Sequence, residues 1–218
     1  MKLLTVPQSG SLAGQTASHN RFGQYMRTRA IPVNPNSVQQ GVVRARFALA
    51  ASVWRTLTDA QRAGWGSLGS VMQRTDSLGQ AYNLTGEQAF VSVNAVQASA
   101  GNAQLTDAPA HFTPGALLTA VVTLTAAAFS IAYTTTPLAG GARLFTFASP
   151  QRSAGRYQET DFRLLAVSAA AAASPANVYA AYVARFGVPV VGNKVFLSLQ
   201  VYGNGFLSAP TYASAVVA

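Results

Sequence analysis

Apolar residues recur at helical spacing between residues 37 and 57. They are separated by alternating steps of four and three, which forms one stripe on a helix with 3.6 residues per turn. The stripe consists of Val43, Phe47, Ala50, Trp54 and Leu57. Ser37 and Gln40 precede it with the spacing of a capping box, in which each side chain bonds the other residue's backbone. The pattern predicts a helix with one apolar face, and it puts the arginines of the segment away from the centre of that face.

Two more capping boxes predict two further short helices. Thr58 pairs with Gln61 in the first box, and Thr85 pairs with Gln88 in the second. The apolar residues that follow at helical spacing are Trp65, Leu68 and Met72 after the first box, and Ala89, Phe90, Val93 and Val96 after the second. Gly101 suits the end of the third helix, because glycine readily adopts the left-handed conformation found there.

The three stripes together predict a helical unit over residues 37–106. An apolar stripe on each helix must be buried against another element. We therefore expect Trp54 and Trp65 to pack in one cluster with Phe47 and Leu57, because the stripes face each other across the short turn between the first two helices.

The pattern changes to one typical of strands after residue 107. Residues 107–115 contain two prolines and a glycine, which is typical of a linker. Runs rich in Thr, Val, Tyr and Phe then predict strands over residues 116–125, 129–135, 142–149, 162–167, 194–202 and 211–217, with a short helix over 175–186. Six strands at this spacing predict an α+β fold that ends in an immunoglobulin/fibronectin type III-like antiparallel β-sandwich over residues 107–218.

The first 36 residues show no sustained periodicity. They are rich in polar residues and turn formers, and Pro32 and Pro35 each favour an extended conformation in the residue before them. Such a segment buries too little apolar surface to become ordered alone. We therefore expect residues 1–36 to be an extended basic arm that becomes ordered against another polypeptide.

The composition narrows the classes of protein to consider. Half of the residues are apolar but only 10% are charged, against a typical value of about 25%. A protein with so little charge is expected to cover much of its surface with neighbouring chains. No apolar run reaches the roughly 18–20 residues that a membrane helix needs, and MKLLTVPQSG does not have the pattern of a signal peptide. The absence of cysteine excludes disulfides, thiolate metal sites and cysteine nucleophiles.

The positive charge is concentrated at the start of the chain. Residues 1–57 contain no acid, whereas all six acids lie further on. The basic residues of this segment are Lys2, Arg21, Arg27, Arg29, Arg44, Arg46 and Arg55. This asymmetry predicts an anionic partner, which is either nucleic acid or the acidic face of a protein.

Five residues of the arm are the candidate partner-binding residues. They are Arg21, Phe22, Tyr25, Arg27 and Arg29. Tyrosine and arginine are enriched at the centres of protein interfaces. Arginine with interleaved aromatic residues also binds nucleic acid through phosphate contacts and stacking. Protein contact is the preferred interpretation, and nucleic-acid contact is the alternative.

The sequence predicts no catalytic residue, no cofactor, no metal ligand and no small-molecule substrate. Only two histidines occur, His19 in the arm and His111 in the linker, and a metal site needs several converging ligands. Glu159 and Asp161 are the only close pair of acids, and their segment resembles a loop of mixed charge rather than an acid–base pair.

A longer segment carries a resemblance to a known family. The sequence RTRAIPVNPNSVQQGVVRARFALAASVWRTLTDAQRAGWGSLG resembles a module of virion-associated structural proteins of tailed bacteriophages and prophages. The matching positions are Arg27, Pro32, Asn34, Pro35, Asn36, Gln40, Arg44, Trp54, Leu57, Thr58, Gln61, Arg62 and Trp65. The segments TGEQAFVSVNAVQASAG and LLAVS…YVARFG are also similar to parts of such proteins.

The resemblance implies a non-enzymatic structural subunit of a virion, assembled in the host cytoplasm. Its partners would be other virion proteins and copies of itself, with no membrane. The resemblance does not distinguish capsid, neck and tail. The alternatives are a nucleic-acid-binding protein that uses the basic arm and a surface adhesion module.

Overall fold

A computed structural model describes residues 9–76, 79–134, 136 and 138–218. The first eight residues of the predicted arm, including Lys2, and Thr135 at the end of a predicted strand lie outside the described residues. By its internal packing the chain divides into two compact units, Met1–Val42 and Val43–Ala218. The fold is mixed α+β, with four helices and several antiparallel sheets in the described part.

The described part of the first unit is a three-stranded antiparallel sheet followed by an irregular segment and the first residues of helix α1. The strands are β1 (Gly10–Leu12), β2 (Gln15–Asn20) and β3 (Gly23–Thr28), and β2 lies in the middle. Ala13 and Gly23 adopt positive φ angles at the two reversals of the chain. At the second reversal, the Asn20 side-chain oxygen accepts a hydrogen bond from the Phe22 N–H at 2.9 Å.

This sheet corrects the prediction of a single extended arm. Each strand within residues 10–28 is extended, but the chain reverses direction twice and the strands pair with one another. The apolar alternation that normally identifies a strand is missing because both faces of the sheet carry mostly polar side chains. Only residues 29–37 follow the predicted extended path, without regular secondary structure, up to helix α1.

Three helices follow, with one hairpin between the second and the third. The elements are α1 (Val38–Thr56), α2 (Asp59–Val71), β4 (Gln73–Thr75), β5 (Ala81–Asn83) and α3 (Gly86–Ser99). All three predicted capping boxes are confirmed by reciprocal hydrogen bonds between side chain and backbone. Gly101 has a φ of 74°, as predicted for the residue that ends the third helix.

The helices share a core built around two aromatic residues. Trp65 and Phe90 are fully buried, and Leu57 and half-buried Trp54 pack in the same cluster. The expected cluster of two tryptophans with Leu57 is therefore confirmed, but its fourth member is wrong because Phe47 is 61% exposed.

Arg46 lies beside the apolar stripe of α1 rather than at its centre, but it is half-buried. Its guanidinium donates a hydrogen bond to the Ser99 hydroxyl at 3.1 Å. The sequence pattern gave no indication of this contact, because an arginine can extend its long side chain over apolar neighbours.

The remaining chain forms nine strands and one helix in the described residues. They are β6 (Thr119–Leu124), β7 (Phe129–Thr134), β8 (Arg143–Ala148), β9 (Arg152–Ser153), β10 (Arg163–Val167), β11 (Ala176–Asn177), α4 (Tyr179–Phe186), β12 (Asn193–Gly203), β13 (Phe206–Leu207) and β14 (Thr211–Val216). The ends of the six long strands and of the short helix all lie within four residues of the predicted ends. The short strands β9, β11 and β13 were not predicted, since two residues give no detectable period.

These strands form two sheets around one apolar core. The smaller sheet has the spatial order β11-β7-β6. The larger sheet has the spatial order β10-β8-β12, and β14, β13 and β9 each pair with β12 as well. Both sheets contribute side chains to the same buried cluster, including Phe129 and Ile131 from β7 and Leu197 and Leu199 from β12. The alternating apolar residues of β12 therefore point towards the smaller sheet.

One compact unit extends across residue 107, from Val43 to Ala218. Buried polar contacts join α3 and the residues after it to β12 within this unit. The Tyr202 hydroxyl hydrogen bonds the Gln97 side-chain oxygen, and the Asn102 amide donates to that hydroxyl at 2.7 Å. No helix among the described residues is long and apolar enough to cross a membrane.

Candidate partner-binding surface

The structure distributes the five candidate residues over one hairpin. Tyr25 and Arg27 lie in β3, Arg21 and Phe22 form the turn between β2 and β3, and Arg29 follows β3. The Arg29 N–H donates to the carbonyl oxygen of Gly14 at 2.8 Å, so the ladder continues one residue beyond the strand. The five residues are therefore held by backbone pairing, although not in one place.

One face of the sheet carries Arg27 and several hydroxyl groups. Side chains alternate between the faces of a strand, so Tyr25 and Arg27 share a face. Tyr25 stands opposite Ser18, and Arg27 stands opposite Thr16. The Thr16 hydroxyl in turn contacts the Ser11 hydroxyl of β1 at 2.9 Å. We call this surface the cationic face. It is made of Ser11, Thr16, Ser18, Tyr25 and Arg27, and Arg29 continues the row directly after the end of β3.

The turn presents a second feature at the tip of the hairpin. The guanidinium carbon of Arg21 lies 4.6 Å from the centre of the Phe22 ring. This cation–π contact is worth about 0.5–1 kcal/mol at an exposed site. Phe22 remains 65% exposed, so the tip offers an apolar ring and a positive charge together.

The sheet has no core of its own in the part that the structure describes. Among residues 9–42 whose side chains are described, none is buried. A three-stranded sheet usually needs an apolar face or a packed helix to be stable in isolation. The hydrogen-bonded strands of this unit thus lack the burial that would normally hold them together.

The charge of this surface is not neutralised by the described residues. None of the ion pairs found among them includes Arg21, Arg27 or Arg29. The sequence places no acid before Asp59. The cationic face therefore combines positive charge and hydrogen-bond donors without a carboxylate of its own strands.

The second unit exposes the continuation of a buried stripe. Ala50 in α1 and Leu57 directly after it are buried, but Val43 and Phe47, which belong to the same stripe, are more than half exposed. Leu49, on another side of the helix, is also exposed. The apolar face of α1 is thus covered by the described residues only over its later half, which no sequence pattern indicated.

The acid pair of the sequence is part of an ion-pair network. The Glu159 carboxylate, with only 2% of its side chain exposed, accepts hydrogen bonds from Arg152 and Arg156. The backbone N–H groups of Asp161 and Thr160 and the Arg152 guanidinium lower the pKa of Glu159 to about 2. Asp161 is bound by Arg163 at 3.0 Å.

Neither histidine joins these acids in a site. His19 lies in β2, and the ring centroids of His111 and Phe206 are 5.4 Å apart. Within the described residues no group of three histidines or acids is placed to hold a metal ion.

One cavity of the second unit has a volume of about 610 Å³. It lies where the end of α3 and the linker meet the turns at residues 139–142 and 202–204. Its main polar groups, Gln97, Asn102 and Tyr202, already bond one another. Polar groups that satisfy each other in this way hold the two layers together and do not point to a ligand.

The chain was also compared with known proteins. Comparisons with protein-family models, with curated proteins and with solved structures find no match to it. Its function must therefore be inferred from the surfaces described above.

The sequence interpretation missed the hydroxyl residues of the surface. Thr16 and Ser18 alternate with Ala17 and His19, and this period of two continues through Tyr25 and Arg27 after the turn. Because the other face is mostly polar as well, this spacing gives no contrast of polar and apolar residues that marks the strands.

Proposed function

We propose that this protein is a structural subunit of a bacteriophage particle, which attaches to other virion proteins of the capsid, neck or tail through its N-terminal residues and first helix. The observation that carries the proposal is the sheet of residues 10–28, whose three strands pair with one another but have no buried side chain among those described. Such a sheet gains most of its stability by being covered.

The exposed half of the α1 stripe supports the same proposal. Val43 and Phe47 present an apolar face on a helix whose later turns are packed. Burying apolar surface is worth about 25 cal/mol per Å². A neighbouring chain that covers this face would stabilise both the helix and the contact.

The two sheets support a further part of the proposal, an immunoglobulin or fibronectin type III-like sandwich. We number β6, β7, β8, β10, β11, β12 and β14 as strands one to seven. Strands one, two and five share one sheet, and strands three, six and seven share the other, as in immunoglobulin domains. Strand four pairs with strand three rather than with the smaller sheet, and α4 is inserted between strands five and six.

Cross-strand nuclear Overhauser effects test this arrangement. We expect contacts between Leu164 and Phe147, which are paired in the larger sheet. Contacts of β10 with β11 would instead put strand four in the smaller sheet and rule out this strand order.

Deletion of residues 2–30 tests the assembly function. The shortened chain should keep its helical circular dichroism signal and its thermal transition, because the second unit contains the buried clusters, but it should no longer be incorporated into particles. A variant with Arg74, Tyr157 and Arg185 changed to alanine, all exposed in the second unit, serves as the control and should be incorporated normally. Normal incorporation of the shortened chain would refute the proposal.

Nucleic-acid binding is the second candidate function. It is favoured by the exposed tip, where the Arg21 guanidinium stacks on Phe22, and by the lack of acids in the preceding and following strands. We expect only weak, non-specific binding that decreases steeply with salt, as counterion release requires. Tight binding at physiological salt that is lost when Arg21, Arg27 and Arg29 become alanine would make this the primary function.

A further inference from the structure

Strand β3 is the outermost strand of its sheet and lies next to the cationic face. The sheet order is β1-β2-β3, and within the part of the chain that the structure describes no strand pairs with the outer side of β3. An edge strand presents alternating backbone N–H and C=O groups, which another extended segment can pair with. Tyr25 and Arg27 lie beside this edge, and Arg29 extends the row.

We propose that the outer edge of β3 binds an extended, acid-bearing segment of a different protein, which adds a fourth strand and places carboxylates on the cationic face. This inference rests on the proposed assembly function and names the chemistry of the partner. It specifies backbone pairing along β3 together with ion pairs to Arg27 and Arg29.

The spacing of the charges fits such a strand. Alternate residues of a strand are about 6.8 Å apart, so Tyr25, Arg27 and Arg29 form a row with this repeat. An added strand presents its own alternate side chains with the same repeat and on the same face. Carboxylates at every second position would therefore stand beside the tyrosine hydroxyl and both guanidinium groups, and arginine–carboxylate hydrogen bonds are among the strongest in proteins.

Charge argues against a second copy of this chain as the occupant. Two β3 edges that paired with each other would bring the same arginines together, and like charges on neighbouring strands are destabilising. The rest of the chain carries no excess of acid either, because residues 58–218 contain eight basic and six acidic side chains. Glu159 and Asp161 are already bound by arginines of their own loop.

The edge also argues against nucleic acid as the occupant. Phosphate oxygens accept hydrogen bonds, so they would satisfy the arginines and the N–H groups of the edge. They cannot donate to the carbonyl oxygens that alternate with those N–H groups. A peptide strand has both donors and acceptors and pairs with the whole edge.

A synthetic peptide of alternating Glu and Thr residues, long enough to pair with all of β3, tests the proposal with the full-length protein. Fluorescence anisotropy of the labelled peptide should show binding, and the matched peptide of alternating Gln and Thr should bind at least about tenfold more weakly, since about 1.4 kcal/mol of lost ion pairing has this effect. The double variant Arg27→Glu with Arg29→Glu should lose the binding. The control, Arg74→Glu with Arg185→Glu, has the same change of charge on exposed residues of the second unit and should retain it.

Methylated peptides distinguish strand addition from simple charge attraction. In a paired strand only every second N–H faces the neighbour. Methylation of all Glu nitrogens and methylation of all Thr nitrogens should therefore have unequal effects, with one set abolishing binding and the other largely preserving it. Equal effects would overturn the proposal, as would equal affinity for single-stranded oligothymidylate of the same charge.

The remaining outcomes separate this inference from the proposed function. If the wild-type chain forms dimers and the Arg27→Glu, Arg29→Glu variant does not, the edge binds a second copy and the inference is wrong. If no peptide binds but deletion of residues 2–30 still prevents incorporation, the assembly function stands and the inference is wrong. If the acidic peptide binds as expected but the deleted chain is incorporated, the inference holds and the assembly function fails.

Discussion

The indole of Trp65 meets the ring of Phe90 edge to face, with ring centroids 5.1 Å apart and planes inclined at 84°. The indole N–H also donates to the carbonyl oxygen of Thr106 at 2.8 Å. One side chain of α2 thus contacts α3 and fixes the chain that leads into the linker. Trp54 reaches the same Phe90 ring from α1 at 5.5 Å, but it is only half-buried.

The two tryptophans should therefore contribute unequally to stability. Trp65→Ala should lower the free energy of unfolding by about 3–5 kcal/mol, because it leaves a large cavity and an unpaired carbonyl group. Trp54→Ala should cost clearly less, since part of its ring is already in contact with solvent. Urea denaturation followed by circular dichroism measures both, and equal losses would show that Trp54 is buried as deeply as Trp65.

Two glycines of α2 provide a matched test of how closely its neighbours approach. A Cβ atom on Gly69 would lie 2.5 Å from the backbone oxygen of Leu84, whereas a Cβ on Gly66 would meet nothing within 4 Å. Alanine normally stabilises a helix interior by about 1 kcal/mol relative to glycine. We expect Gly66→Ala to raise the midpoint of thermal unfolding and Gly69→Ala to lower it. A rise in both variants would mean that α2 is free to move away from the segment before α3.

Local signals were sufficient to predict the helices and the long strands. Each capping box joins residues only three positions apart, so its hydrogen bonds depend little on the rest of the fold. The apolar alternation in β12 and β7 likewise reflects a face buried by the opposite sheet. The end of the third helix at Gly101 follows from the backbone freedom of glycine, which is a local property as well.

Features that depend on distant contacts could not be predicted in this way. Phe47 belongs to the same stripe as Leu57, and only the extent of the packed elements decides that one is exposed and the other buried. The network of Gln97, Asn102 and Tyr202 joins residues about a hundred positions apart, which no short pattern reveals.

The candidate surface was predicted in its residues but not in its shape. Charge and aromatic content identified Arg21 to Arg29, because these are properties of composition. The pairing of β2 with β3 was missed because its strands are polar on both faces, and it is this pairing that aligns Tyr25 with Arg27 and sets Arg21 apart at the turn.

The ion-pair network of the 152–163 loop should make stability depend on pH in the acid range. The pKa of Glu159 is lowered from 4.5 to about 2 by backbone N–H groups and Arg152. A lowered pKa means that the folded protein prefers the charged form, so the stabilisation is complete above about pH 4.5 and is lost as the pH falls towards 2. Glu159→Gln should melt at a lower temperature than the wild type at neutral pH, and this difference should shrink between pH 4.5 and 2. Glu87→Gln, which removes an exposed carboxylate of α3, should leave the pH dependence unchanged, and a constant difference for Glu159→Gln would contradict this role.

The hydroxyl of Tyr202 should be essential to the junction between α3 and β12. It is buried, it hydrogen bonds the buried Gln97 side chain, and it accepts from the Asn102 amide at 2.7 Å. Tyr202→Phe preserves the ring, which stacks on Phe145, but leaves the two amide side chains with fewer partners, and an unsatisfied buried polar group costs about 1–3 kcal/mol. Tyr212→Phe removes a hydroxyl from a side chain that is 66% exposed and should change stability by less than about 0.5 kcal/mol. Equal unfolding free energies for the two variants in urea denaturation would mean that apolar packing alone holds the helices to the larger sheet.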